Sequence, residues 1–173
     1  DDYGCGPEER GPLGPYLGYS EHSVRGELMD VLSALGQSCT VIEKLHPSAT
    51  EKEQPPPGNP NVHWQVTGHQ AIWPLMWHSD LVVGMRSMAL LQAAVMSKTA
   101  ISYQPNLRGP DQCTASRLGL VDKGRHIGDL EVWLRSHCVE ALDSACRPPL
   151  RPAFAHPDAA KRVLAVALGQ AAP

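Results

Sequence analysis

The sequence predicts an α/β fold, a doubly wound parallel sheet with helices on both of its faces. Two patterns carry that expectation. The chain alternates short apolar, β-compatible runs with segments of helical periodicity, in the order α-β-β-α-β-α-β-β-α-α, as parallel strands joined by crossovers require. Within it, Ser79–Ala94 reads as a complete strand–turn–helix unit. Leu81–Val83 is too short for a helix and is bounded by turn formers, and Gly84 supplies the turn. Ser87 then stands as an N-cap before Met88, Leu90, Leu91, Ala94 and Val95 on one helical face.

Taken in order, residues 1–19 are rich in Gly and Pro without apolar periodicity, and read as an irregular amino-terminal loop. Ser20-Glu21-His22-Ser23 marks a helix start, Val24, Leu28, Val31, Leu32 and Leu35 form its apolar face, and Gly36 is its stop. Cys39–Leu45 is β-branched and apolar, hence a strand ending on His46-Pro47. Residues 48–60 form a polar loop with Pro55-Pro56-Pro57-Gly58. Val62–Val66 alternates as a short strand, and residues 68–78 form a short helix carrying Trp73, Leu75, Met76 and Trp77. After the central unit come the strand Thr99–Tyr103, a loop over 106–116 with Arg108 and Asp111, and a last strand over 117–121. Ile127–Cys138 is a helix with Leu130, Val132, Trp133 and Leu134 on its apolar side. Pro148-Pro149-Leu150-Arg151-Pro152 breaks the pattern before an amphipathic helix over 157–168. The division is thus a loop (1–19), one domain (20–147), and a Pro-rich linker with a terminal helix (148–173).

Composition narrows the function. A net charge of −3 with scattered Lys and Arg offers no basic stripe for a nucleic-acid backbone, which argues against that partner. No apolar run approaches the ~20 residues of a membrane span. Five widely spaced Cys without a CxxC pair point to reduced thiols and a cytoplasmic protein. The eight His include no HExxH or HxH pairing with a carboxylate, so neither a metal nor another cofactor is expected. Trp64, Trp73, Trp77 and Trp133 read as core and interface.

Ligands of such sheets bind at the carboxyl ends of the strands. His46, Gly68, Gly84–Ser87 and Gln104–Arg108 all follow strands and should gather on one edge. A helix N-terminus at Ser87 leaves backbone N–H groups for an anion. Arg86 beside it opposes the helix dipole, a cost that an anion would offset. Glu8, Glu9 and Asp111 are carboxylates of solvated loops, and their spacing selects none as a general base.

Lys44-Leu45-His46-Pro47, Ser79–Met88 and Ile101-Ser102-Tyr103-Gln104-Pro105 together resemble the carboxyl-terminal, Rossmann-like half of GT-B-type glycosyltransferase-like proteins, including the UDP-N-acetylglucosamine 2-epimerase superfamily and bacterial glycan-assembly enzymes. Gly18-Tyr19-Ser20-Glu21 is similar to the segment entering the first helix of that half, and the resemblance spans about residues 14–121. It implies a nucleotide-diphosphate-sugar donor, with His46, Arg86, Ser87 and Met88 at the diphosphate and Gln92, His69 and Arg108 towards the ribose or base. Gln92 stands where such enzymes often carry Glu, and an amide accepts a hydrogen bond without the charge that strengthens it. No catalytic residue is assigned. The resemblance further implies an acceptor domain or subunit ahead of this region and a central strand before residue 19, or else a homodimer. A non-catalytic half-domain, acting as a partner subunit or regulatory nucleotide binder, is the competing expectation.

Overall fold

In a computed structural model, residues 10–11, 14–15, 17–46, 55–68 and 70–140 are described. The expected helix over 157–168, the linker before it and His69 lie outside those residues. Two short antiparallel strands, β1 (Arg10–Gly11) and β2 (Gly14–Pro15), interrupt the expected amino-terminal loop.

Helix α1 (Glu21–Leu35) begins and ends as its sequence dictates. Ser20 Oγ accepts from Ser23 N at 3.1 Å while Ser23 Oγ accepts from Ser20 N at 2.9 Å, a reciprocal cap. Gly36 closes the helix in the left-handed region at φ 67°. Strands β3 (Cys39–Lys44) and β4 (Val62–Thr67) pair in parallel, Cys39 opposite Val62. Helix α2 (Ile72–His78) starts four residues later than its pattern predicts, because Ala71 is extended, and Pro74 sits in the first turn where its missing N–H costs nothing. Strand β5 (Leu81–Gly84), helix α3 (Met88–Val95) and strand β6 (Thr99–Tyr103) fall where the sequence sets them.

The expected strand over 117–121 is not formed. Thr114–Arg117 is instead a short helix, α4, and its exit consumes those residues: Gly119 turns at φ 66° and Leu120 N bonds Ala115 O at 2.9 Å. The strand, β7, follows at Asp122–Gly124, with Asp122 opposite Ile101. Helix α5 (Ile127–Glu140) completes the described chain.

All pairings between β3 and β7 are parallel, so the α/β class holds, but one continuous doubly wound sheet is not formed among the described residues. There are two sheets, β3–β4 and β5–β6–β7. The three-stranded sheet is covered on both faces. Leu81, Val83, Ile101 and Tyr103 meet α1 and α5 through Val31, Leu32, Leu130 and Trp133, while Val82 and Ala100 meet Met76, Leu90, Ala93 and Ala115 of α2, α3 and α4. That odd–even split is the two-residue period of a strand. Trp64 and Trp133 are core, as expected, but Trp73, Trp77, Met88 and Val132 are exposed. The two tryptophans lie one helical turn apart on α2, turned to one side of buried Met76, and Met88 is the first residue of α3, ahead of the turn that packs.

Candidate functional site

The carboxyl ends of β5, β6 and β7 deliver Met85–Ser87, Gln104–Arg108 and Arg125–His126 to one edge of the sheet. Backbone bonds lock these turns together: Gln104 N to Gly124 O at 3.0 Å, Asn106 N to Arg125 O at 2.8 Å, and Arg108 N to Leu17 O at 2.7 Å. The last of these brings in the segment before α1. Gly18 packs so closely there, at φ 97°, that a Cβ would stand 2.1 Å from Asn106 O. Only glycine fits both demands.

Beneath the edge lies a buried polar network. Gln104, with none of its surface exposed, donates through Nε2 to Ser102 Oγ at 2.7 Å and to Asp111 Oδ1 at 2.9 Å, and its Oε1 accepts from Tyr19 Oη at 3.2 Å. Ser102 Oγ in turn donates a hydrogen bond to Met85 O at 2.6 Å, tying β6 to the turn after β5. Asp111 is the hub. Its oxygens accept from Cys113 N at 2.8 Å and Ser116 Oγ at 2.6 Å, and pair with Arg125 Nη2 at 2.8 Å. Burial pushes the Asp111 carboxyl up, but the bonds from Ser116, Gln104 and Cys113, together with Arg125, outweigh it and hold its pKa at about 2. Burial raises the Tyr19 hydroxyl, with Arg86 and Arg125 opposing. A buried polar network is stabilising only when its members are satisfied, and here Gln104 and Asp111 are.

Above this floor, Asn106, Leu107, Gly109, Asp111, Arg125 and His126 line an open depression of about 530 Å³. Arg125 Nη1 is buried there without a hydrogen-bond partner. The entry to α5 contributes its positive end, which Asp129 partly answers by accepting from Arg125 N at 2.7 Å and His126 N at 3.0 Å. Those bonds hold the Asp129 carboxyl below its ordinary range.

The residues expected from sequence divide by place. Ser87 caps α3, its Oγ accepting from Ala89 N at 3.1 Å, and Arg86 donates to Gln112 Oε1 at 2.6 Å, so both belong to the β5–β7 edge. Met88 follows them, with its side chain in solvent. Gln92 is half-buried within α3, and Arg108 is exposed on the loop that meets Leu17. His46 is exposed after β3, at the end of the other sheet.

Asp111 is not the solvated loop charge that sequence reading makes it. The sequence assigns Tyr19, Arg125 and His126 no role at this site, and Asn106 only a place within the Gln104–Arg108 edge. A signal for Asp111 was present: an Asp bonding the backbone two residues on is a turn former, and Ser116 lies one helical turn beyond. Among the described residues no cluster of three or more His, Cys, Asp or Glu could hold a metal, and no helix is long and apolar enough to cross a membrane. Comparison with protein-family models, with curated proteins and with solved structures finds no match.

Proposed function

We propose that this chain is the nucleotide-diphosphate-sugar-binding half-domain of a glycosyltransferase-like protein, holding the donor diphosphate at the strand ends. The observation that carries the reading is the open depression at the ends of β6 and β7, lined by Arg125 and His126 at the α5 entry, with the Arg86–Ser87 turn after β5 on the same edge of the sheet. Arg125 and the backbone N–H groups entering α3 and α5 would hold the diphosphate. They would also stabilise the charge that develops on it as the glycosidic bond breaks. Gln104 and Asp111 are fully engaged in holding the loops, so they position Arg125 rather than touch the ligand. Among the described residues none is assigned as an acceptor-activating base, which would come from another domain or subunit.

The outer edges of β3 and β5, without a neighbouring strand among the described residues, favour a second reading, a non-catalytic partner subunit or regulatory nucleotide binder. Calorimetry with UDP-, GDP- and CMP-sugars tests the first. Wild type should bind one of them below millimolar, and Arg125→Ala and Ser87→Ala should weaken it. Absence of binding, or variants that all bind as wild type does, would overturn the donor site. Binding without transfer once an acceptor subunit is supplied would favour the regulatory reading.

A further inference from the structure

The buried network under the depression has a fixed sense. Ser102 Oγ donates its one hydrogen to Met85 O at 2.6 Å, so towards Gln104 it can only accept. Asp111, kept ionised by its donors and by Arg125, can only accept as well. Both therefore require the amide nitrogen of Gln104, which reaches them at 2.7 and 2.9 Å. The amide oxygen is left facing the other way. Gln104 has none of its surface exposed, so that oxygen needs a donor from the protein. Tyr19 Oη supplies it at 3.2 Å. Burial raises the Tyr19 hydroxyl and keeps it in the protonated, donating form.

Tyr19 thus stops the amide from turning over. A phenyl ring in its place would leave the Gln104 oxygen buried without a donor. A flipped amide would set that oxygen against Ser102 and Asp111, neither of which has a hydrogen to offer. In both cases the donor set of Asp111 is weakened, and Asp111 is what holds Arg125 Nη2 at 2.8 Å. Arg125 lines the depression, whereas Tyr19 is 5% exposed and is not part of that lining. Its backbone neighbours press on the same loops: Leu17 O accepts from Arg108 N, and Gly18 packs on Asn106 O. The chain entering α1 is therefore tied by main chain and by side chain to the residues around the depression.

We propose that Tyr19 is a positioning residue for Arg125: its hydroxyl fixes the Gln104 amide, the amide fixes Asp111, and Asp111 fixes the guanidinium. The effect on a ligand rests on the reading of the depression as a diphosphate site, while the effect on Asp111 is independent of it.

Tyr19→Phe and Tyr103→Phe separate positioning from stability. Each removes one hydroxyl from a buried ring, but Tyr103 Oη donates to Glu27 Oε2, outside the network. Carbon-detected NMR of the full chain follows the Asp111 carboxyl with pH, and calorimetry follows inorganic pyrophosphate. In Tyr19→Phe that carboxyl, at about 2 in wild type, should titrate at least about half a pH unit higher. Pyrophosphate should bind about three- to tenfold more weakly. Tyr103→Phe should leave both readouts at the wild-type values, whatever it does to Tm. Adding Tyr19→Phe to Arg125→Ala should weaken binding no further, because the path ends on Arg125. An Asp111 titration unchanged in Tyr19→Phe, or moved equally by Tyr103→Phe, would overturn the proposal. So would wild-type pyrophosphate affinity in Tyr19→Phe, or a loss that persists in full on the Arg125→Ala background. If wild type binds no pyrophosphate at millimolar concentration, the diphosphate reading fails and the Asp111 titration alone decides the role of Tyr19.

Discussion

The β5–β6–β7 half and the β3–β4 half use the same parallel pairing but differ in what surrounds it. In the first, β6 has a neighbour on each side and helices on each face, and can therefore bury the polar pair Ser102 and Gln104 completely. In the second, β3 buries no residue fully and β4 only Val62 and Trp64, and the polar chemistry is peripheral: Glu43 accepts from Trp64 Nε1 at 2.9 Å and pairs with Arg25 at 3.1 Å. A strand's neighbours, more than its composition, determine whether it can support a buried network. Val41–Ile42 of β3 and Val82–Val83 of β5 have much the same composition as Ile101 of β6, yet are less buried.

Perturbing one half and then the other should expose that difference. The largest effect is expected at Leu90→Ala, which empties a fully buried site under β5 and β6 and should cost about 2–5 kcal/mol in denaturant unfolding. Ile42→Ala in β3 should stay within about 0.5 kcal/mol. Next is Asp111→Ala, which leaves Gln104, Ser116 and Arg125 without their shared acceptor and should cost about 3 kcal/mol.

Acid should act through the same carboxylate. Its pKa falls from 3.8 to about 2 on folding, so the unfolded chain takes up the proton first as pH drops. The resulting stabilisation, about 2 kcal/mol, is complete above about pH 4 and is lost as pH falls towards 2. Asp111→Asn should remove that part of the pH dependence. The smallest effect is a gain. Ser97 leaves α3 at φ 56° with its Oγ buried and unpartnered, so Ser97→Gly should stabilise by about 0.5–1 kcal/mol in thermal unfolding.

Local rules made most elements legible. Ser20 and Gly36 bound α1, Ser87 caps α3, and the β-branched runs became strands. What failed needed tertiary information. The strand over 117–121 looked plausible because Leu118, Leu120 and Val121 are apolar, but pairing with β6 begins at Asp122, past the left-handed turn at Gly119. At the site, Arg86 and Ser87 could be placed from the strand–turn–helix pattern alone. Asp111 and Arg125 could not, since fourteen residues separate them and only the β6–β7 register brings them together. Tyr19, far from Gln104 in sequence, is harder still.

The donor-edge proposal is tested most directly by amide NMR during titration with UDP and UDP-sugars. The proposal requires saturable shifts concentrated at Arg86, Ser87, Asn106, Arg125 and His126, and their loss in Arg125→Ala. Shifts that cluster elsewhere, or no shift at millimolar nucleotide, would contradict it.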